Sequence, residues 1–298
     1  MHNPDYLKQG DKIAIVATAK KFEFEELAPG IETIKSWGLE VILGENTLSQ
    51  DNQFAGTDAE RLQDLQHALD NPEIKAILCA RGGYGTSRII DKVDFSKFRA
   101  SPKWIAGFSD VTVLLNHIAQ WQIPSLHAPM PVLFAHRTTS ESLAYLRQAL
   151  FGEKLSYEIA GHKLNREGVA EARLIGGNLS ILCTLTGTSS EPDTAGKILF
   201  LEDIDEYMYQ LDRMMVMLKR SGKLSNLAGL IVGHFSDMKD GDIPFGKTAY
   251  EIIADHVSEY AYPVCYGFPA GHEPENYTLA IGKSAALKVS ETYATIAF

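Results

Sequence analysis

The sequence contains few cysteines, no run of like charges and no long apolar segment. Its three cysteines, at positions 79, 183 and 265, are odd in number and far apart, which favours reduced, buried thiols over a disulfide framework. The start, MHNPDYLKQGDKIAIVATA, has neither the basic end nor the apolar stretch of a signal peptide. No window approaches the roughly 18 uninterrupted apolar residues of a membrane span. These absences predict a cytoplasmic protein that does not associate with membranes.

Acidic residues outnumber basic ones. The chain has 38 Asp and Glu against 28 Lys and Arg, a formal net charge of −10. A protein of this charge is a poor candidate for binding a phosphate backbone, so no nucleic-acid partner is expected. Apolar residues make up 45% of the 298 residues, which is enough to bury a sizeable core.

The first half of the chain alternates short apolar runs with helical patterns. Strands are predicted at Lys12–Ala17, Leu39–Leu43, Lys75–Ala80 and Lys103–Phe108. Helices are predicted at Glu25–Trp37, after the capping box Thr57-x-x-Glu60, and at Thr86–Val93 and Asp110–Trp121. This β-α order predicts a parallel sheet covered by helices.

The pattern changes after residue 150. Residues 151–168 are polar and weakly patterned, which predicts a linker between domains at 1–150 and 169–298. Strands are expected near Ala170–Leu174, Lys197–Leu201, Gly229–Val232 and Tyr277–Ile281, and helices at Leu179–Thr186, Met208–Ser221 and Thr248–Tyr260.

Ser109 lies between a predicted strand and a predicted helix. A serine on such a tight turn exposes its hydroxyl, and the N–H of Asp110 then lies at a helix N-terminus, as in a nucleophile beside an oxyanion hole. The alternative is that Ser109 only caps the helix. Phe235-Ser236-Asp237 repeats the same tripeptide before a loop, so the strand-to-helix context is the informative part.

Two further segments contain candidate site residues. Glycines in Arg81–Gly85 let backbone N–H groups turn toward a ligand, although the segment serves equally as a plain turn. Lys197–Glu206 is an apolar strand that ends in Glu202 and further acids, one of which can orient a histidine or simply be solvated.

Nine histidines compete for the role of general base. Those that follow or end strand-like runs are His127, His234 and His272, and His272 lies in a Gly- and Pro-rich loop suited to approach a nucleophile. His117 is expected inside a helix. The remaining ones are expected at the surface: His2, His67, His136, His162 and His256.

Two other chemistries receive little support. Gly241–Thr248 matches the P-loop pattern Gly-x4-Gly-Lys-Thr. However, eight residues separate it from the preceding strand, and Asp242 would place a negative charge where phosphates lie. No metal site is expected, because His272-Glu273 continues to Asn276 rather than to a second histidine.

Several motifs, in this order, resemble the LD-carboxypeptidase family of serine peptidases, which also contains the microcin C self-immunity peptidases. The motifs are ARGGYG at Ala80–Gly85, GFSD at Gly107–Asp110, LIGGNLS at Leu174–Ser180, LFLEDI at Leu199–Ile204, YQLDRMMVMLKRSG at Tyr209–Gly222 and GFPAGH at Gly267–His272. The family often has His-Gly-Pro where this chain has His127-Ala128-Pro129.

The resemblance implies a fold and a catalytic site. It implies an N-terminal flavodoxin- or Rossmann-like domain and a C-terminal mixed α/β domain, with the active site in the cleft between them and a homodimeric assembly. It maps the nucleophile onto Ser109, the base onto His272 and the residue that orients the base onto Glu202. The oxyanion hole would consist of the backbone N–H groups of Asp110 and Gly83, and no cofactor or metal is needed.

The resemblance also implies a substrate. A murein tetrapeptide would be cut before its terminal D-alanine, and the terminal carboxylate would need a cationic or N–H-rich partner, for which Arg81 and Asn178 are candidates. The nearest alternative is cleavage of an aminoacyl–nucleotide conjugate, as in the immunity peptidases. A P-loop nucleotide-binding enzyme is a more distant alternative.

Overall fold

The computed structural model describes residues 3–298, so Met1 and His2 lie outside the described residues. The strands are β1 (Lys12–Val16), β2 (Glu40–Leu43), β3 (Ile74–Cys79), β4 (Trp104–Gly107), β5 (Ser125–His127), β6 (Ser156–Ala160), β7 (Gly168–Asn178), β8 (Ile198–Ile204), β9 (Gly229–Ser236), β10 (Val264–Tyr266), β11 (Leu279–Ile281), β12 (Ser284–Val289) and β13 (Tyr293–Ala297).

Helices cover most of the intervening segments. They are α1 (Phe24–Ser36), α2 (Asp58–Asp70), α3 (Thr86–Ile89), α4 (Ser96–Ala100), α5 (Thr112–Ala119), α6 (Ser140–Phe151), α7 (Leu179–Thr184), α8 (Met208–Arg220) and α9 (Ala249–Val257). Short 3-10 helices occur at Ile90–Lys92, Ser109–Val111 and Pro131–Leu133. Within residues 3–298, no helix is both long enough and apolar enough to cross a membrane.

The first sheet has the flavodoxin-like strand order β2-β1-β3-β4-β5, with all neighbours parallel. Its central strands are almost wholly buried, because helices cover both faces. The predicted N-terminal parallel domain is therefore confirmed. One strand from the far end of the chain, β11, completes this sheet by pairing antiparallel with β5.

The second sheet is mixed and has the order β10-β9-β8-β7-β12-β13-β6. The β7 to β10 half is parallel, and the β6, β7, β12, β13 half is antiparallel. This confirms the predicted mixed α/β domain.

The predicted linker at 151–168 contains strand β6, which pairs with β13 at the sheet edge. Only Tyr157 of its five residues is fully buried, so its apolar pattern is too weak to be recognised before its partner strand is known. The limits 1–150 and 169–298 stay a prediction.

Helix α5, which follows Ser109, is locked against β7 of the second sheet. The buried amide of Asn116 donates to the carbonyl of Gly176 at 3.0 Å and accepts from its N–H at 3.1 Å. The hydroxyl of Thr112 accepts from the N–H of Asn178 at 3.1 Å. These buried hydrogen bonds fix the two sheets relative to each other, so the carboxyl end of β4 lies near that of β8.

Candidate active site

Ser109 lies on a strained turn between β4 and α5. It has a φ of +60°, which is uncommon for a residue other than glycine. Phe108 before it is extended, and the 3-10 helix Ser109–Val111 leads directly into α5. A sharp strand-to-helix turn with a strained serine is the geometry of a nucleophile elbow. The helix cap on α5 is not made by the Ser109 side chain.

Gly82 lies directly against this serine. A Cβ atom added to Gly82 would lie 2.9 Å from the Cβ of Ser109, closer than real Cβ atoms approach, and 3.1 Å from its Oγ, which is a tight contact. Because the φ of Gly82 is not in the left-handed region, alanine is excluded there by space rather than by backbone conformation. The sequence motif ARGGYG therefore includes a glycine whose lack of a side chain gives the nucleophile its room.

We expect Gly82→Ala to lower kcat by about 100-fold, because a displacement of the nucleophile by about 1 Å costs that much. KM should change less, since the substrate contacts remain. Gly241→Ala is the matched control, because its added Cβ would meet only the carbonyl of Ile243 at 3.6 Å. A Gly82→Ala enzyme with the wild-type kcat would show that the contact does not hold the serine in place.

The backbone N–H groups of Gly83 and Asp110 are among those near Ser109 that make no hydrogen bond within residues 3–298. Gly83 has a φ of +122°, a conformation that favours glycine. The buried carboxylate of Asp110 accepts a hydrogen bond from the N–H of Thr86 at 2.8 Å. This bond ties the serine turn to the end of the glycine loop, so both candidate oxyanion donors belong to one connected unit.

Glu202, in β8, and His272, in the loop after β10, form a buried pair. The Nδ1 atom of His272 lies 2.7 Å from Oε2 of Glu202, and the Glu202 side chain has no exposed surface. Gly271 allows this approach, because a Cβ on it would lie 3.0 Å from the same oxygen. With Nδ1 held by the carboxylate, Nε2 is the nitrogen left for chemistry.

The electrostatics of this pair favour its charged state. Burial alone would lower the pKa of His272, but the charge of Glu202 and the hydrogen bond to it raise that pKa above its usual value. Burial would raise the pKa of Glu202, but the charge and hydrogen bond of His272 outweigh it and hold the pKa below its usual value. The carboxylate therefore stays ionised, and the imidazole becomes a stronger base.

Ser109 and His272 line the same cavity, with a volume of about 220 Å³. Gly82, Gly83 and Arg81 line it as well, whereas Glu202 lies behind His272 and does not reach it. Within residues 3–298, no hydrogen bond joins the hydroxyl of Ser109 to His272. Such bonds are often long in a site without substrate and shorten when substrate binds.

The other candidate histidines are placed differently. His127 is fully buried, and burial lowers its pKa to about 4, so it is neutral at physiological pH. His234 lies beside the carbonyl of Glu275 at 3.1 Å, and His117 contacts the hydroxyl of Ser190 at 2.8 Å. None of these three lines the Ser109 cavity.

Arg81 and Asn178, the candidate carboxylate partners, are both engaged within the chain. The guanidinium of Arg81 contacts Glu26 at 3.1 Å, although the residue lines the cavity. Asn178 is 3% exposed, donates to Asp203 at 2.8 Å and accepts from the first turn of α7. It does not line the cavity, so its side chain holds Asp203 and caps α7.

Asp203 is not free for chemistry either. It accepts hydrogen bonds from Asn178 and from the N–H of Ser180. Burial, followed by the charge of Glu202, raises its pKa to about 7. Sequence reasoning did not single out the cavity residues Lys20 and Arg137, because isolated basic residues in loops carry no recognisable pattern.

The P-loop-like segment does not form a phosphate site. The side chain of Lys247 pairs with Asp255 of α9, and Thr248 caps that helix by accepting from the N–H of Glu251. The carboxylate of Asp240 accepts the N–H groups of Gly241 and Phe245, so these donors point at an internal acid rather than at a phosphate.

The cysteines and potential metal ligands add no further chemistry. Burial raises the pKa of each of the thiols of Cys79, Cys183 and Cys265 to about 12, so they are not reactive nucleophiles. Among residues 3–298, no group of at least three His, Cys, Asp or Glu side chains is arranged to hold a metal ion.

Comparison with known proteins places this chain in a family. Residues 13–128 match the LD-carboxypeptidase N-terminal domain, and residues 171–287 match the LD-carboxypeptidase C-terminal domain. The "Probable murein peptide carboxypeptidase" of Bacillus subtilis is 36% identical, covering 99% of this chain and 94% of its own. The murein tetrapeptide carboxypeptidase of Pseudomonas aeruginosa is 31% identical, covering 93% of each chain.

Structural comparison agrees. The muramoyltetrapeptide carboxypeptidase of Oxalobacter formigenes superposes with a TM-score of 0.88 at 30% identity, covering 96% of this chain and 98% of its own. The microcin C7 self-immunity protein MccF of Escherichia coli is a more distant relative, 26% identical over 87% of this chain and 84% of its own. With both family domains matched in order around one cleft, the chain belongs to the LD-carboxypeptidase family of peptidases.

Proposed function

We propose that this protein is a serine carboxypeptidase that releases the terminal D-alanine of murein tetrapeptides. The observation that carries the proposal is the buried Glu202–His272 pair at 2.7 Å, whose histidine lines the same cavity as the strained Ser109. A carboxylate, an imidazole and a hydroxyl in this order are the parts of a hydrolytic triad.

In the proposed reaction, His272 takes the proton of the Ser109 hydroxyl while Oγ attacks the scissile carbonyl carbon. Glu202 holds the imidazole in the required tautomer and stabilises its cation. The N–H groups of Gly83 and Asp110 stabilise the oxyanion. His272 then protonates the leaving amine as the C–N bond breaks, leaving an acyl-enzyme.

Deacylation repeats these steps with water in place of the serine. His272 removes a proton from water, the hydroxide attacks the acyl carbon, and Ser109 leaves with the proton returned by His272. The products are a tripeptide and free D-alanine, and each step conserves charge and protons without a metal ion or cofactor.

The substrate class is supported by relatives and by charge. Two relatives above 30% identity carry the names murein peptide and murein tetrapeptide carboxypeptidase. The cavity is rich in basic side chains although the chain has a net charge of −10. A basic cavity in an acidic protein favours an anionic substrate, as a peptide with free carboxylates is.

We expect the purified protein to release D-alanine from L-Ala-γ-D-Glu-meso-diaminopimelyl-D-Ala in the presence of EDTA. The measurement is free D-alanine over time, because it reports cleavage of the terminal bond only. The same peptide with a terminal L-alanine is the control and should not be cleaved. Absence of release, or release that EDTA abolishes, would contradict the proposal.

The alternative substrate is an aminoacyl–nucleotide conjugate, because MccF belongs to the same family. An aminoacyl sulfamoyl adenosine, assayed beside the tetrapeptide, distinguishes the two. Cleavage of this conjugate without release of D-alanine would assign the immunity-type function.

The remaining expectations concern the cellular setting. We propose a cytoplasmic role in cell-wall recycling, in line with three cysteines that form no disulfide, of which Cys79 and Cys265 are buried. A homodimer, and the absence of nucleic-acid and membrane partners, remain predictions to be tested by light scattering and binding assays.

A further inference from the structure

We propose that Arg137 binds the carboxylate of the leaving D-amino acid and thereby restricts this enzyme to the terminal bond of its peptide. The inference rests on the proposed function and adds the residue that selects the chain end. Arg137 lies in the loop before α6 and lines the same cavity as Ser109 and His272. Its side chain is exposed to that cavity and makes no ion pair within residues 3–298.

The cavity wall is more basic than the rest of the protein. Its charged side chains are those of Lys20, Arg81, Arg137 and Glu273, together with the titratable His272. Three cations thus face one carboxylate in a protein whose acidic residues exceed its basic ones by ten. Charge of this sign, concentrated in one concave site, indicates that the bound group is an anion.

Two of the three cations are less suited to the leaving residue. The guanidinium of Arg81 is held by Glu26 at 3.1 Å. Lys20 lies on the oxyanion side of the cavity, because its backbone N–H donates to Gly82 and its Cβ lies 2.6 Å from where a Cβ of Gly83 would be. A carboxylate bound to Lys20 would therefore lie beside the developing oxyanion rather than beside the leaving group.

Arg137 lies on the segment next to the loop that carries His272, because the N–H of Thr139, two residues after Arg137, donates to the carbonyl of Pro274, two residues after His272, at 3.0 Å. Burial lowers the pKa of His272 and Glu202 raises it above the usual value, while the positive charge of Arg137 is a smaller influence that opposes this rise. In the proposed reaction, His272 protonates the leaving amine. In an amino acid, the carboxyl carbon is two bonds from the nitrogen, or roughly 2.5 Å. The carboxylate of the leaving residue must therefore lie close to His272.

A guanidinium suits this task better than an ammonium group. It presents parallel N–H donors that match the two oxygens of a carboxylate, and it remains charged at every pH at which the enzyme works. Within a peptide, the same position would carry a neutral amide, which forms weaker hydrogen bonds with a guanidinium. Arg137 would thus favour a chain end over an internal peptide bond.

The test compares the tetrapeptide that ends in D-alanine with the same peptide ending in D-alaninamide. We expect the wild-type enzyme to prefer the free acid by about 10- to 100-fold in kcat/KM, as expected for a charged hydrogen bond. Arg137→Ala should lose this preference, because it slows cleavage of the acid far more than cleavage of the amide. Arg137→Lys should retain part of the preference, because lysine keeps the positive charge but lacks the two parallel N–H donors of the guanidinium.

The assay pH and the control variants are chosen so that an indirect effect on His272 is not mistaken for a loss of carboxylate binding. Loss of Arg137 removes a charge that lowers the pKa of His272, so rates are compared at about pH 8.5, where more of the imidazole is neutral. Arg147→Ala is the matched control, because Arg147 pairs with Glu153 outside the cavity. Lys20→Ala tests the other cavity cation that has no ion-pair partner in the described chain.

The outcomes separate this inference from the proposed function. An Arg137→Ala enzyme that cleaves the tetrapeptide and still prefers the acid as strongly as wild type does would overturn the inference while leaving the function intact. Loss of the preference in Lys20→Ala, but not in Arg137→Ala, would reassign the role to Lys20. If the wild type cleaves neither peptide, the proposed function fails first.

Discussion

Replacing Ser109 with alanine is expected to lower kcat for D-alanine release by a factor on the order of 10⁶, the largest effect of any substitution considered. The change removes the only atom that forms the acyl-enzyme bond in the proposed mechanism. His272, Glu202 and the oxyanion donors would remain in place. Residual activity would then come only from binding and electrostatic stabilisation.

Ser236→Ala is a matched control within the same chain. Ser236 lies in the second Phe-Ser-Asp tripeptide, is 6% exposed and makes no side-chain hydrogen bond. It ends β9 and does not line the cavity, so its variant should keep the wild-type kcat. Both variants should melt at the wild-type temperature, which circular dichroism measures. A Ser109→Ala enzyme that still releases D-alanine at more than about one-hundredth of the wild-type rate would exclude Ser109 as the nucleophile.

Glu202→Gln is expected to reduce kcat by about 10⁴-fold, as removal of the charge does in other hydrolytic triads. Glutamine keeps the size of the side chain but loses the charge that stabilises the protonated imidazole. It can also present an N–H to Nδ1, which favours the wrong histidine tautomer. Because the Glu202 side chain has no exposed surface, water cannot replace the lost interaction.

The pH dependence gives an independent measure of the same pair. His272 acts as a base only when neutral, and Glu202 raises its pKa above the usual value. For the wild type, kcat/KM should therefore fall on the acid side with an apparent pKa above 6.5, the ordinary value for histidine. In Glu202→Gln, burial would dominate and lower the pKa of His272, so the acid limb should move to lower pH.

Asp205→Asn is the control for this substitution. Asp205 follows the same strand, is exposed and pairs with Lys239 at 2.6 Å. Asparagine also tolerates its φ of +66°, so neither the rate nor the pH profile should change. An acid limb that stays in place in Glu202→Gln would mean that Glu202 does not set the basicity of His272.

Much of the fold follows from local sequence patterns. The buried runs that became β1, β3, β4 and β8 are continuous apolar segments, which a parallel strand covered on both faces requires. The capping box at Thr57 and Glu60 opens α2 as predicted. These signals are local, since each depends on residues within a few positions of one another.

The pairing of the C-terminal strands could not be predicted from local sequence patterns. Exposed and buried residues alternate in β12, and half-buried and buried residues alternate in β13, with alanine at several positions in both strands. This pattern predicts no particular partner strand. β11 has an apolar sequence, which the predicted strand at Tyr277–Ile281 recognised. However, its return to the first sheet is a long-range pairing that no local pattern encodes.

In the candidate site, too, some features follow from local sequence patterns and others depend on tertiary packing. The place of Ser109 between a strand and a helix could be predicted from local patterns, because apolar runs and helix starts depend on neighbouring residues. Only the tertiary structure brought Glu202 to within 2.7 Å of His272, engaged Asn178 with Asp203 and exposed Arg137 to the cavity. These contacts join residues far apart in the chain, and they depend on how two sheets pack, which no short segment specifies.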